Sequence, residues 1–400
     1  MRLDNNKRPP SSIKILFLVT EDWYFISHRL VLARACRDLG WEVTVATYVQ
    51  DHGLAIEREG FRVIPIRMRR RDRAPWKEIG SLLELVLLLK RERPHVVHQI
   101  GLKPVIYGSI AAILVRPCVV VNALAGLGYI FTSGRLQIRL ARTIIKAVLK
   151  VVLRRPRNWL IVQNDAAAES MVAGSLISQD HIAVIKESGV DIDQFAPRPA
   201  PESPVTVTMV SRMLNDKGVR EVVLASRELK RRGTPVRMWL VGAPDLANPS
   251  SLDEETLRQW HREGCVEWLG HRNDIADVWA QSHIAILPSY REGMPKSLLE
   301  AAACGKPIVT VDVPGCNDLV IDGVTGILVP AENWMRLADA VSKLAAEPEL
   351  RKRMGAAARA RVELEYSETI VVRETLDLYA RALTHAGERF SYLARESHRS

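Results

Sequence analysis

The sequence predicts two doubly wound α/β domains in tandem, and three observations lead there. Four hundred residues exceed what one hydrophobic core ordinarily organises. Short apolar runs alternate with longer amphipathic stretches in both halves, the pattern of parallel strands joined by crossover helices. A proline-rich stretch, Pro197–Pro204, separates the two series.

Lys14–Thr20, Ser27–Leu39 and Glu42–Thr47 read as strand, helix and strand. Residues 61–66 and 95–100 add strands around a helix at 78–91. Pro117–Ala123 is a further strand, followed by Gly126-Leu127-Gly128, a helix over 135–155 and a strand over Trp159–Gln163. The second series opens with Val205–Val210 and continues through strands near 236–241, 284–287 and 307–311. The expected domains are 1–197, 198–366, and 367–400 for a closing helix and tail. Doubly wound sheets bind ligands beyond the carboxyl ends of their strands, so the loops there are where functional residues are sought.

Composition narrows the class. The five cysteines, Cys36, Cys118, Cys265, Cys304 and Cys316, are scattered, with no C-x-x-C pair. That argues for a reducing compartment and against a disulfide framework or zinc site. No apolar stretch reaches membrane-spanning length, and the basic N-terminus lacks the apolar core of a secretory signal, so a cytoplasmic protein is expected. Residues 1–200 hold 30 Lys and Arg against 18 Asp and Glu, an excess of 12, whereas the second half holds 26 against 28. Between Glu92 and Asp165 there is no acidic residue. This asymmetry points to an anionic partner of the first half.

The block Arg291–Val309 carries the most chemistry. Glu292 and Glu300 stand eight positions apart across a Gly-Met-Pro turn that opens a helix. Pro295 suits the first helical turn, and the leading N–H groups, from Lys296 and Ser297, form an anion site. A diphosphate flanked by hydroxyl-bearing groups fits such an arrangement.

This block resembles the Glu-x7-Glu signature of family-4 retaining glycosyltransferases. Ser211–Gly218, Trp239–Gly242, Trp268–His271 and Gly189–Phe195 are similar to other segments of that family in the same order, so the resemblance covers roughly residues 13–380. It implies the GT-B fold: two Rossmann-like domains with an interdomain cleft and a last helix returning to the first domain. It implies that Arg212 and Lys217 contact the donor diphosphate, that Glu300 holds the ribose hydroxyls and that Glu292 faces the donor sugar. The backbone at Gly293 and Met294 would approach the phosphates, and the main chain at His271 would read the base. The donor would be a nucleotide sugar, UDP-linked, with no other cofactor. Asp191-Ile192-Asp193 imitates a metal-binding Asp-x-Asp, but its setting matches a structural segment of the family, and no metal is expected.

On the acceptor side, Trp23–Arg29 lies between the first strand and its helix and replaces the family's usual glycine-rich loop with aromatics while keeping His28. Gly101-Leu102-Lys103-Pro104 and Asn122–Gly128 are similar to a subgroup acting on polyprenyl-diphosphate-linked saccharides. The His that follows the strand at 119–123 in many relatives has no counterpart here. His28 and Lys103 are the candidates for contacting acceptor phosphate or the reacting centre. Arg135, Arg139, Arg142, Lys146, Lys150 and Arg154 recur at helical steps and draw a basic stripe. Such a helix can lie on an anionic bilayer, with Arg67–Lys77 as a second contact, or can simply present a solvated face.

The expected activity is a metal-independent, retaining transfer of a hexose or N-acetylhexosamine to a lipid-diphosphate-linked saccharide in polysaccharide assembly, at the inner face of the cell membrane. A soluble acceptor and a same-fold nucleotide-sugar epimerase remain rivals. A nucleic-acid-binding protein would share the basic half, but no zinc finger, RNP-type aromatic motif or basic helix-turn-helix is present, so no nucleic acid partner is expected.

Overall fold

The structure is a computed structural model that describes residues 12–69, 75–117, 119–124, 136–186, 189–199, 201–246 and 248–387. Seven strands form the first sheet: β1 (Lys14–Val19), β2 (Glu42–Thr47), β3 (Arg62–Pro65), β4 (Val96–Ile100), β5 (Val119–Ala123), β6 (Asn158–Val162) and β7 (Ile182–Val184). All pairings are parallel, in the order β3-β2-β1-β4-β5-β6-β7. The second sheet contains β8 (Val205–Val210), β9 (Val236–Val241), β10 (Glu267–Trp268), β11 (Ile284–Leu287), β12 (Ile308–Val311) and β13 (Gly326–Val329). These too are parallel, in the order β10-β9-β8-β11-β12-β13. Central strands such as Lys14–Val19 and Val96–Ile100 are buried almost throughout. Near-continuous apolar runs are what strands covered by helices on both faces require. Strand order reverses between β1 and β4 and between β8 and β11. These are the two topological switch points.

The chain divides into two compact units: one runs to Ser188 and resumes at Val371, and the other spans Gly189–Ile370. The first boundary therefore precedes the expected one at 197, and hydrogen bonding explains why. Val190 donates its N–H to the Tyr366 carbonyl at 2.9 Å, and Glu368 donates to the Val190 carbonyl at 3.0 Å. Arg198 in turn pairs with Asp277 at 2.6 Å. Residues 189–199 thus belong to the second unit. The closing helix, Glu368–His385, contributes Leu378, Tyr379 and Leu383 to the first unit's core.

Three local expectations change. The first helix spans Asp22–Asp38, so the aromatic segment 23–26 lies in its opening turns rather than in a loop. Asp22 causes this. Its fully buried carboxylate accepts N–H groups from Trp23 (2.8 Å), Gln50 (2.7 Å) and His52 (2.8 Å), anchoring the helix start to the loop after β2. A π-helical turn, Pro104–Gly108, leads into the helix Ser109–Val115, a stretch to which the sequence assigned no element. The basic helix is Leu136–Leu153: Leu149, Val152 and Leu153 enter the core, while Lys146 and Lys150 are exposed. Arg154 beyond it donates to the Ser175 carbonyl at 2.9 Å. Arg135, the side chains of Arg139 and Arg142, and Gly126–Gly128 lie outside the described residues. Among the described residues no helix is long and apolar enough to cross a membrane.

Candidate active site

Lys217 and Glu292 meet across the switch point of the second sheet. Lys217 ends a 3-10 turn, Asn215–Lys217, beyond β8, and Glu292 lies on the loop beyond β11. The Lys217 ammonium donates directly to the Glu292 carboxylate, and both side chains are largely buried. Backbone packing brings them there. Tyr290 donates its N–H to the Asp216 carbonyl at 2.9 Å, and the Ser289 hydroxyl donates to the same oxygen at 3.1 Å. The Tyr290 hydroxyl donates to Glu221 at 2.5 Å, tying the loop to the helix Val219–Arg231. Gly218, at φ +76°, leaves room for the Pro288 carbonyl, which would lie 2.2 Å from an added Cβ. Gly315, at φ +87°, does the same for the carbonyls of Glu292 (2.5 Å) and Gly293 (2.6 Å). Only a residue without Cβ allows such approaches.

Beyond this pair the helix Lys296–Ala303 begins. Pro295 is its N-cap rather than its first helical residue, at φ −75°, ψ 101°. Leu298 and Leu299 bond back to the Pro295 carbonyl at 3.0 and 3.2 Å, so the N–H groups of residues 296 and 297 precede the first intrahelical bond. Met294 puts its side chain in the core. Glu300, one turn into the helix, retains some surface, yet burial of its carboxyl pushes the pKa up to about 7; the Lys296 charge and the Trp279 indole oppose the shift. Trp279 is itself fully buried, and its N–H makes no hydrogen bond of good geometry.

Arg212 stands in the same loop after β8 as Lys217, and His271 in the loop after β10. Arg212 is half-exposed and paired with Asp245 at 2.7 Å, so the structure joins Lys217 to Glu292 but ties Arg212 elsewhere. His271 is exposed, with Nε2 3.0 Å from the Asn273 amide oxygen. Asp191 uses its carboxylate to accept the N–H groups of Asp193 and Gln194, each at 2.9 Å, a turn-forming role. Asp245, Glu221, Tyr290, Trp279 and Gly315 escaped sequence reasoning. Tyr290 and Asp245 flank segments already singled out and could have been found by proximity. Gly315 carried no local signal.

At the switch point of the first sheet stand His28 and Lys103. His28 lies on the helix after β1 with its ring parallel to Tyr24, centroids 4.1 Å apart. Lys103, after β4, donates to Glu78 at 2.7 Å and to the Arg69 carbonyl at 3.0 Å. β4 runs to Ile100, as the reading of 95–100 expected, so His98 is internal to it. It is buried and hydrogen-bonded through Nδ1 to the Tyr379 hydroxyl. Burial, with the Arg29 charge second, holds its pKa well below the usual value, so it stays neutral.

Comparison with known proteins agrees with this architecture. Residues 191–361 match the family profile "Glycosyl transferases group 1", and residues 14–158 match "Glycosyl transferase 4-like". The chain is 28% identical over 381 residues to the N,N'-diacetylbacillosaminyl-diphospho-undecaprenol alpha-1,3-N-acetylgalactosaminyltransferase of Campylobacter jejuni, covering 90% of this chain and 98% of that one. It is 28% identical over 267 residues to the UDP-Gal:alpha-D-GlcNAc-diphosphoundecaprenol alpha-1,3-galactosyltransferase of Escherichia coli, covering 63% and 67%. The fold is that of the Anabaena Alr3699/HepE protein solved in complex with UDP, with a TM-score of 0.74 at 18% identity over 92% of this chain and 100% of that one. One glycosyltransferase profile accounts for most of each unit, and the protein belongs to this family, a glycosyltransferase of GT-B fold.

Proposed function

We propose that the protein moves a hexose or N-acetylhexosamine from a UDP-sugar to a saccharide carried on a lipid diphosphate, with retention and without a metal ion. The observation that carries this reading is the Lys217 ammonium held at the second switch point on Glu292, whose loop leads into the helix Lys296–Ala303. As the bond from the anomeric carbon to the diphosphate breaks, negative charge grows on the leaving oxygen, and a fixed cation stabilises it. Leading helix N–H groups supply further positive potential. Arg212, from the same loop as Lys217, would swing from Asp245 to the diphosphate. Glu300 would accept the ribose hydroxyls, and Glu292 would orient the donor sugar. The acceptor hydroxyl oxygen bonds to the anomeric carbon from the face the diphosphate leaves, and its proton passes to the departing phosphate oxygen. His28 and Lys103 would meet the acceptor side.

The named substrates of the Campylobacter and Escherichia relatives support the acceptor class, and the Escherichia relative's UDP-Gal supports the base. Such an acceptor places the enzyme at a membrane surface. The test is to incubate the full chain with a panel of UDP-, GDP-, dTDP- and ADP-sugars, a polyprenyl-diphosphate saccharide and a soluble saccharide, with and without EDTA. The expected result is one α-linked product from one UDP-sugar on the lipid acceptor, unaffected by EDTA. Transfer to the soluble saccharide alone, or from a non-UDP donor alone, would overturn the reading. So would conversion of the donor without any acceptor.

A further inference from the structure

The helix Pro75–Glu92 has an outward face unlike the rest of the first unit's surface. Ile79, Leu83 and Leu87 follow one another at steps of four and are 62, 60 and 67% exposed. Residues four apart share a helix face, so the three draw one apolar line. The line ends at exposed Lys90 and Arg91. The helix is not short of core contacts, since Leu85, Leu88 and Leu89 are buried on its other side. Nor does it lack acids; it turns them inward. Glu78 pairs with Lys103 at 2.7 Å, Glu84 accepts the Arg67 N–H at 2.9 Å, and Glu92 pairs with Arg62 at 2.6 Å and Arg91 at 2.7 Å. What faces solvent is apolar and cationic, with no acidic side chain left unengaged.

The neighbouring helices continue the theme. Ser109–Val115, which packs against this helix, presents Leu114 at 65% exposure, followed by exposed Arg116. Leu136–Leu153 presents Val151 at 57% exposure beside exposed Lys150. All three helices fall in or beside the stretch between Glu92 and Asp165 that contains no acid. A second copy of this chain would bring the same cations against themselves. An anionic bilayer offers both what the leucines need and what the cations need.

We propose that the line of Ile79, Leu83 and Leu87 inserts shallowly into an anionic lipid surface, with Lys90 and Arg91 on the headgroups. The helix Pro75–Glu92, rather than the basic helix Leu136–Leu153, is then the main apolar contact. Attachment of this kind does not depend on the acceptor assignment above, and it is tested without any acceptor. The full chain is floated with vesicles of phosphatidylglycerol and phosphatidylcholine, and in parallel with phosphatidylcholine alone. Wild type should float with the first and much less with the second. Leu83→Ser/Leu87→Ser should lower partitioning by about tenfold or more at an unchanged thermal midpoint, and Lys90→Ala/Arg91→Ala should lower it severalfold at low salt only. A nitroxide on Leu87→Cys should become shielded from an aqueous relaxation agent when the mixed vesicles are added.

Wild type that does not float, a double serine variant that floats as well as wild type, or an unshielded label would each overturn the proposal. A concentration-dependent dimer abolished by the serine substitutions would overturn it too, assigning the face to a second copy. Transfer to a short-chain, water-soluble acceptor analogue separates the two readings. The serine variant should retain that activity if the acceptor class is right, and its loss from the wild type would sink the acceptor class while leaving flotation untouched.

Discussion

The two sheets share one strand order up to the extra β7, yet their switch points are built differently. At β8/β11 the charged side chains face one another: Lys217 reaches Glu292, and Glu300 lies one helical turn beyond the Lys296 start. Backbone contacts too close for any Cβ, at Gly218 and Gly315, hold the loops that carry them. At β1/β4 the polar side chains are turned to their own surroundings, His28 on Tyr24 and Lys103 on Glu78. Each switch point thus holds a lysine on a glutamate, and the difference lies in the surroundings: a helix start and two glycine-dependent backbone contacts at the second, a stacked Tyr24–His28 pair at the first. A small, densely charged ligand suits the former, and a larger amphipathic one suits the latter.

Removing the charges tests that contrast most severely. Lys217→Met should lower kcat about 10²–10³-fold, the range for losing one preorganised group that stabilises developing charge. It should also cost ~1–2 kcal/mol of stability, because Glu292 is left largely buried without its cation. Glu292→Gln keeps the shape and should lose turnover with little loss of UDP binding, read by single-turnover kinetics beside nucleotide titration. Near-normal turnover in either folded variant would end the claim that this pair is the reacting centre.

Gly315→Ala asks whether the backbone, rather than the ion pair, places Glu292. Its Cβ would sit 2.5 Å from the Glu292 carbonyl at a left-handed φ, so the loop must move. A destabilisation of about 1–3 kcal/mol in urea titration is expected, with roughly a tenfold fall in kcat, since misplacement of about 1 Å can cost up to 10²-fold. A variant that unfolds more easily but turns over normally would show that the glycine serves stability alone.

Glu300 gives a pH signature that tests the second switch point directly. Its carboxyl is raised from 4.5 to about 7, so folding favours the protonated form. That contribution to stability is complete below the ordinary carboxylate range and is lost as pH rises through about 7. Wild type should therefore lose thermal midpoint between about pH 4.5 and 7 relative to Glu300→Gln. Donor binding should move the other way, tightening as the carboxylate ionises to accept hydroxyls, and Glu300→Gln should bind roughly tenfold more weakly at pH 8. A flat difference between the two proteins across that window would remove Glu300 from the donor site.

The same contrast governs what could be read from the sequence. The Glu292–Glu300 block stood out because a turn, a helix start and a fixed spacing bind it into one short-range pattern, whereas Lys217, 75 residues from Glu292, came only from the family resemblance of its own segment. The alternating apolar runs made the strands legible, and Val205–Val210, 236–241 and 284–287 agree with the observed strands residue for residue. What failed depended on partners distant in sequence. The helix start at Asp22 is set by backbone groups at Gln50 and His52, and the unit boundary at Gly189 is set by Tyr366 and Glu368. Gly315 serves a loop twenty-odd residues earlier, and nothing in its immediate neighbours says so.

Lys103 offers the mildest test and the one that reaches furthest into the first unit. It already spends its ammonium on Glu78 and the Arg69 carbonyl, so a role at an acceptor phosphate requires exchanging those partners. Because the protein–protein bonds are traded for protein–phosphate ones, the net gain is small, and Lys103→Met should raise acceptor KM only about three- to tenfold. Donor affinity should not change, because Lys103 belongs to the first unit and the proposed donor residues to the second. The same substitution leaves Glu78 without its cation, and Tyr107, whose pKa is raised to about 12 by burial and by Glu78, senses that carboxylate. Glu78→Gln therefore separates the two roles: it frees Lys103 without deleting it. If Lys103 meets acceptor phosphate, Glu78→Gln should lower acceptor KM while Lys103→Met raises it. If both variants shift KM the same way, Lys103 is a strut for the turn after β4, and the first unit recognises its acceptor by surface shape alone.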